Sequence, residues 1–245
     1  MRLLVFQHLP VENPGVFLDF WREAGHSWHI VEFDKDQPIP DFDGFDMMVV
    51  MGGPMDVWQE DLHPWLRREK DAIRRWVVDL NRPYLGVCLG HQLLAEAVGG
   101  RVALMRAPEV GLGRVALTPA GLADPLLRGL GSEVETLQWH GAEVADLPAG
   151  AEVLAANPAC HVQAMRVGRY AYGIQFHVEI TGSTVAAWND IPEYKESLER
   201  ALGVDCALSL GAEVSRELPQ SMELARRLND NMTAIVEIAS KTVGT

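Results

Sequence analysis

Four short apolar runs, residues 3–7, 28–33, 47–51 and 83–87, alternate with segments whose apolar residues recur every three to four positions. That alternation is the sequence signature of βαβ units, in which helices cover both faces of a buried parallel sheet. The helical segments are 16–24, stopped by Gly25, then 62–80, with Pro64 in its first turn, and 90–98, closed by Gly99 and Gly100. In the second of these, Leu62, Trp65, Leu66, Ile73, Trp76, Val77 and Leu80 fall on one stripe, as an amphipathic helix requires. From 101 to 175 the segments are short, β-rich and broken by glycine and proline, which reads as antiparallel additions to the sheet, with a strong strand at 170–176. Two helical stretches follow, 183–202 and 215–239. The expected fold is α/β, with a mostly parallel central sheet flanked by helices.

Composition narrows the function classes. With 34 acidic against 21 basic side chains the formal charge is −13, which repels nucleic-acid backbones and anionic lipid, so neither nucleic acid nor a membrane is an expected partner. No apolar run reaches bilayer-spanning length, and the first six residues read as a strand, not a secretory leader. Three cysteines, Cys88, Cys160 and Cys206, exclude a disulfide scaffold and fit a reducing, cytoplasmic compartment. At 245 residues a single domain with a substantial core is expected.

Gly86-Val87-Cys88-Leu89-Gly90 lies between a strand and a helix, the setting of a nucleophile elbow. A thiolate there gains from the helix N-terminus, and the following N–H, from Leu89, faces a developing oxyanion. Taken alone, the string fits a buried core cysteine equally well. His177-Val178-Glu179 ends the last strand, where positions i and i+2 face one side, so imidazole and carboxylate project together as a base and its orienting group. His-x-Glu is also compatible with a surface pair or half a metal site. Gly52-Gly53-Pro54 follows a buried strand and offers the Gly53 N–H as a second oxyanion donor, or a plain turn. The only other histidine spacing of note, His26-x-x-His29, reads as a strand edge, so no metal is expected.

The string from Pro83 to Gln92, with Gly52-Gly53-Pro54 upstream and Gln175-Phe176-His177-Val178-Glu179 downstream, resembles the class I, triad-type, glutamine amidotransferases. Within that family it is similar to stand-alone members like the glutaminase domain of guanosine monophosphate synthetase. The match runs in order from about residue 3 to 181 and takes in Glu109-Val110-Gly111 and Trp139-His140-Gly141. The resemblance implies a flavodoxin-like fold over one amidotransferase domain, residues 1–245, with a core of about 1–181 and a helical extension of 182–245. It implies Cys88 as nucleophile, His177 as acid/base and Glu179 as its carboxylate, with Gly52, Gly53 and Leu89 at the oxyanion. Gln92 would hold the glutamine side of the substrate, and the backbone of Trp139, His140 and Gly141 its amino-acid end. The implied reaction is hydrolysis of the glutamine γ-amide through a γ-glutamyl thioester, with release of ammonia and with neither metal nor organic cofactor.

Two positions depart from the family pattern. Val178 stands where Pro is usual, and Ala142 stands where an acidic residue commonly follows His-Gly. The first bears on the rigidity of the turn, the second on how the substrate ammonium is recognised. The residues after Glu179 are too few for an ordinary nucleotide-activating domain, and no phosphate-binding G-x-x-x-x-G-K-[ST] string is present. Ammonia destined for an acceptor would therefore pass to a separate synthetase or acceptor subunit. The stripe Leu218, Met222, Ala225, Met232 and Val236 is expected to pack on the chain's own sheet or on the mate of a homodimer, in preference to docking another subunit. Two other readings stay open: a stand-alone hydrolase of γ-glutamyl amides or peptides with the same triad, and a catalytically silent partner-binding module.

Overall fold

Strands β3 (Met47–Val50) and β4 (Tyr84–Val87) are buried at every position, as strands covered on both faces must be. Around them lie β1 (Arg2–Gln7), β2 (Ser27–Glu32), β5 (Arg101–Leu117), β6 (Glu133–Asp146), β7 (Ala151–Ala156), β8 (Ala164–Val167) and β9 (Ala171–Ile174). The computed structural model describes residues 1–243, apart from the side chains of 204–208 and 242–243. Among these residues the strands form one nine-stranded sheet in the order β2-β1-β3-β4-β9-β8-β7-β5-β6. The stretch from β2 to β9 is parallel throughout, and the remaining pairs are antiparallel. The carboxyl ends of β1, β3, β4 and β9 therefore lie side by side, the edge at which open α/β sheets bind ligands.

Helices α1 (Phe17–Glu23) and α7 (Val204–Val243) cover one face, where Phe17, Phe20 and Trp21 meet Leu224, Leu228 and Met232 over Leu3, Val5 and Val49. Helices α2 (Trp65–Arg74) and α3 (Leu89–Ala97) cover the other, over Leu4, Phe6 and Met48. Short α4 (Pro119–Ala123) follows β5, and a third cluster joins α5 (Thr184–Asn189) and α6 (Pro192–Leu202) to β6 through Trp188, Tyr194 and Leu198 on Leu137 and Trp139. None of the helices of the described residues is long and apolar enough to cross a membrane.

Several expectations need correction. The helix read as 62–80 begins at Trp65 and relaxes into a π-helical turn over Arg75–Asp79; Leu62 precedes it in a turn and is 73% exposed. The β-rich stretch after 101 is dominated by two long strands, because a register shift between Leu104 and Glu109 absorbs Pro108 without ending β5. The segment 183–202 is two helices: Ile191, ahead of Pro192, is extended at φ −90°, ψ 122°, as a residue before proline prefers. The last helix is longer than 215–239: α7 runs from Val204 to Val243, with Pro219 inside it. Its stripe faces the chain's own sheet at Ala225, Met232 and Val236, whereas Met222 is exposed.

Candidate active site

Cys88 joins β4 to α3 and holds φ 51°, ψ −103°, a conformation that costs an L-residue energy and that the surroundings must impose. Two glycines make that possible. A Cβ on Gly86 would lie 2.3 Å from the Gly90 carbonyl oxygen, and one on Gly90 would lie 2.2 Å from that of Val50. Strand and helix thus meet backbone to backbone, and the cysteine is thrust out between them at the head of α3. Its amide donates to the Ile174 carbonyl at 2.8 Å, tying the elbow to β9. The Sγ lies 3.9 Å from the Trp139 carbonyl oxygen, and Gln175 Nε2 donates to it at 3.6 Å.

His177 follows β9, and its amide donates to the Leu137 carbonyl at 2.8 Å, which fixes the backbone beyond the strand's end. Its Nδ1 meets Glu179 Oε1 at 2.7 Å, while the other Glu179 oxygen accepts from the Val178 amide at 3.0 Å. Burial alone would lower the imidazole pKa, but the Glu179 carboxylate and the neighbouring Cys88 raise it well above its ordinary value. Trp188 packs its indole edge-on against the ring, with centroids 4.6 Å apart. On the other side of Glu179, Gly15 at φ +52° lets the Val16 amide donate to the Glu179 carbonyl at 2.9 Å; a Cβ there would sit 1.7 Å from that oxygen.

Of the remaining residues expected at the site, Gly53, Gln92, Trp139, His140 and Gly141 line one cavity of about 550 Å³ together with Cys88, whereas Gly52 and Leu89 do not line it. Leu89 is the first residue of α3, so its N–H has no acceptor within the helix. Gln92 donates both Nε2 protons to the protein, to Ala142 O and Gln175 Oε1 at 3.1 Å each, which leaves only its carbonyl oxygen for a bound molecule. His140 is held by Ala142 O at 3.0 Å and by Glu109 Oε2 at 3.2 Å, which places the Glu109 motif behind the cavity wall. His26 and His29 part company: His26 Nδ1 faces the Met1 amine at 3.4 Å, and His29 lies against Phe45. Cys160 is fully buried and burial pushes its thiol up to about 12, the behaviour of a structural thiol; the Cys206 side chain lies outside the described residues.

The profile described as glutamine amidotransferase class-I matches residues 17–187. The chain belongs to the class I glutamine amidotransferase family. It is 33% identical over 189 residues to YfeJ, a glutamine amidotransferase-like protein of Salmonella typhimurium, covering 76% of this chain and 78% of that one. It is 34% identical over 151 residues to a subunit of the glutamine-hydrolyzing GMP synthase of Sulfolobus acidocaldarius, covering 61% and 76%. Among solved structures, a glutamine amidotransferase of Thermotoga maritima superposes with a TM-score of 0.84 at 27% identity, over 95% of this chain and 97% of that one. One from Methylobacillus flagellatus gives 0.84 at 25%, over 96% and 94%. The flavodoxin-like architecture expected from the sequence is the one this amidotransferase has.

Several residues that shape this amidotransferase site carry no motif. Arg106 from β5 and Glu193, Tyr194, Ser197 and Arg200 from α6 complete the cavity wall. Trp139 Nε1 donates to Ser197 Oγ at 3.0 Å, so the C-terminal helices are fastened to the cavity floor. Glu12, in the loop after β1, is buried beside His177; Tyr194 Oη donates to its Oε1 at 2.5 Å, and its Oε2 has no partner among the described residues. At the end of β1, His8 is buried between Gly52 and Glu69. No sequence signal marked it, because its partners lie 44 and 61 residues away along the chain.

Proposed function

We propose that the protein hydrolyses the γ-amide of glutamine with Cys88 as nucleophile, His177 as acid/base and Glu179 as the carboxylate that orients the ring. The observation that carries this reading is the union of a strained cysteine at a helix N-terminus with a neighbouring imidazole whose far side is held by a carboxylate at 2.7 Å. His177 takes the thiol proton and Sγ attacks the γ-carbon, forming a tetrahedral oxyanion that the N–H groups of Leu89 and Gly53 stabilise. The C–N bond breaks as His177 returns the proton to the leaving nitrogen, releasing ammonia and leaving a γ-glutamyl thioester. Water, deprotonated by the same imidazole, then cleaves the thioester to glutamate and free thiol. No step calls for a metal or organic cofactor.

The chain is read as one amidotransferase domain of the cytoplasm, its C-terminal helices walling the cavity where the substrate's amino-acid end sits. The relative from Sulfolobus acidocaldarius is one subunit of a glutamine-hydrolyzing GMP synthase, which supports passage of the ammonia to a separate synthetase or acceptor subunit. A second reading, hydrolysis of γ-glutamyl amides or peptides by the same triad, is favoured by the cavity: about 550 Å³ lies in the range that holds drug-sized ligands. Ammonia and glutamate release from glutamine, beside a panel of γ-glutamyl amides and peptides, tests both with wild type and Cys88→Ala. Cys88-dependent turnover of glutamine supports the first reading and preference for the conjugates the second. Absence of turnover on the whole panel contradicts both.

A further inference from the structure

The carbonyl of Gly52 is seized from below the site. His8 Nδ1 lies 2.6 Å from Gly52 O, and the opposite ring nitrogen, Nε2, lies 3.0 and 3.2 Å from the two oxygens of Glu69. Neither side chain is exposed at all. The ring also packs near-parallel to Trp65, with centroids 5.3 Å apart, and to Phe33, at 5.9 Å. Gly52 O and the Glu69 carboxylate are both acceptors, so the ring donates from Nδ1 and from Nε2, and its positive charge is balanced by Glu69. Burial would lower the pKa of this imidazole, yet the Glu69 carboxylate, its hydrogen bond and the Gly52 carbonyl together raise it.

The consequence lies one atom further along the chain. The peptide joining Gly52 to Gly53 is trans and planar, so its C=O and N–H point in opposite directions. Glycine at both positions leaves that plane free to rotate unless something holds it. We infer that His8, backed by Glu69, is a positioning residue that locks the Gly52–Gly53 peptide with its carbonyl toward the protein and its N–H toward the reacting carbonyl. This rests on the reading of Gly53 as an oxyanion donor. His8 touches no substrate; it acts through one peptide plane, and nothing in the Cys88, His177 and Glu179 contacts depends on it.

Two reactions of Cys88 separate this role from a structural one. Glutamine hydrolysis passes through an oxyanion, whereas alkylation by iodoacetamide does not, so only hydrolysis needs the Gly53 N–H. His8→Leu is expected to lower kcat about 10²-fold, the scale of one lost oxyanion donor, with KM changed little and the alkylation rate of Cys88 unchanged. His8→Asn, which keeps a donor near the Nδ1 position, is expected to recover most of kcat. Glu69→Leu provides a second variant should His8→Leu fail to fold, with the same split at smaller amplitude. Unchanged kcat in these variants, or hydrolysis and alkylation falling together, overturns the inference while leaving the triad standing. Wild type that neither hydrolyses a γ-glutamyl substrate nor alkylates at Cys88 removes the triad reading and this inference with it.

Discussion

Glu179 divides its two oxygens between the side chain and the backbone of its own turn: Oε1 bonds His177 Nδ1 at 2.7 Å and Oε2 accepts the Val178 amide at 3.0 Å. The Val178 backbone thus supplies a contact that proline in its place lacks the hydrogen to make, and the residue that departs from the family pattern becomes part of the carboxylate's anchor. The pair fixes the tautomer and the aim of the imidazole together.

Glu179→Gln is expected to lower kcat by roughly 10²- to 10⁴-fold, because the amide no longer favours the imidazolium that forms during attack. The fold should survive, since the isosteric side chain can still bond the ring. Steady-state kinetics beside a thermal melt check this; retained kcat removes Glu179 from the acid/base pair.

Gly90→Ala isolates the packing of the elbow. Helix propensity alone would favour alanine by up to about 1 kcal/mol, but the new methyl would lie 2.2 Å from the Val50 oxygen, and overpacking costs about 1–3 kcal/mol. The clash wins, and a lower urea midpoint with reduced activity is the expected outcome. A variant as stable as wild type would show that strand and helix can part at this point.

Glu12 gives stability a pH dependence of known sign. Burial raises its carboxyl above the usual value, Glu179 adds to this, and His177 and the Tyr194 hydroxyl oppose it. A raised folded-state pKa means the native protein binds this proton more tightly than the unfolded chain does. The contribution is full below pH 4.5 and is lost as pH rises through the folded value. Glu12→Gln removes that loss, so its melting temperature should gain on wild type as pH rises above 4.5. Parallel curves would contradict the assignment.

Cys88 and Cys160 should differ sharply in reactivity. Burial holds the Cys160 thiol up at about 12, so it supplies almost no thiolate at neutral pH, while Cys88 stands beside His177 at a helix N-terminus. Limited alkylation at neutral pH followed by peptide mapping should label Cys88 first; faster labelling of Cys160 would count against Cys88 as the nucleophile.

The legible parts of this protein were those whose signal is local. Alternating apolar runs placed β1 to β4 because burial on both faces leaves a continuous apolar string, and the glycines around Cys88 marked the elbow because strand and helix must touch there. The stripe through Leu62 misled because periodicity reports spacing and not where the helix begins, and Pro108 resembled a strand's end because a bulge and a break look alike in one dimension. His8, Glu12 and Tyr194 left no trace of their roles: each acts through a partner far along the chain, and no local pattern records that meeting.

The most direct measurement is the mass of the Cys88 peptide after acid quenching during turnover of glutamine. A gain of one γ-glutamyl group on Cys88, absent from Cys88→Ala and gone once substrate is exhausted, is the result this mechanism predicts. Glutamine turnover that persists in Cys88→Ala, with Cys88 never acylated in wild type, would contradict it.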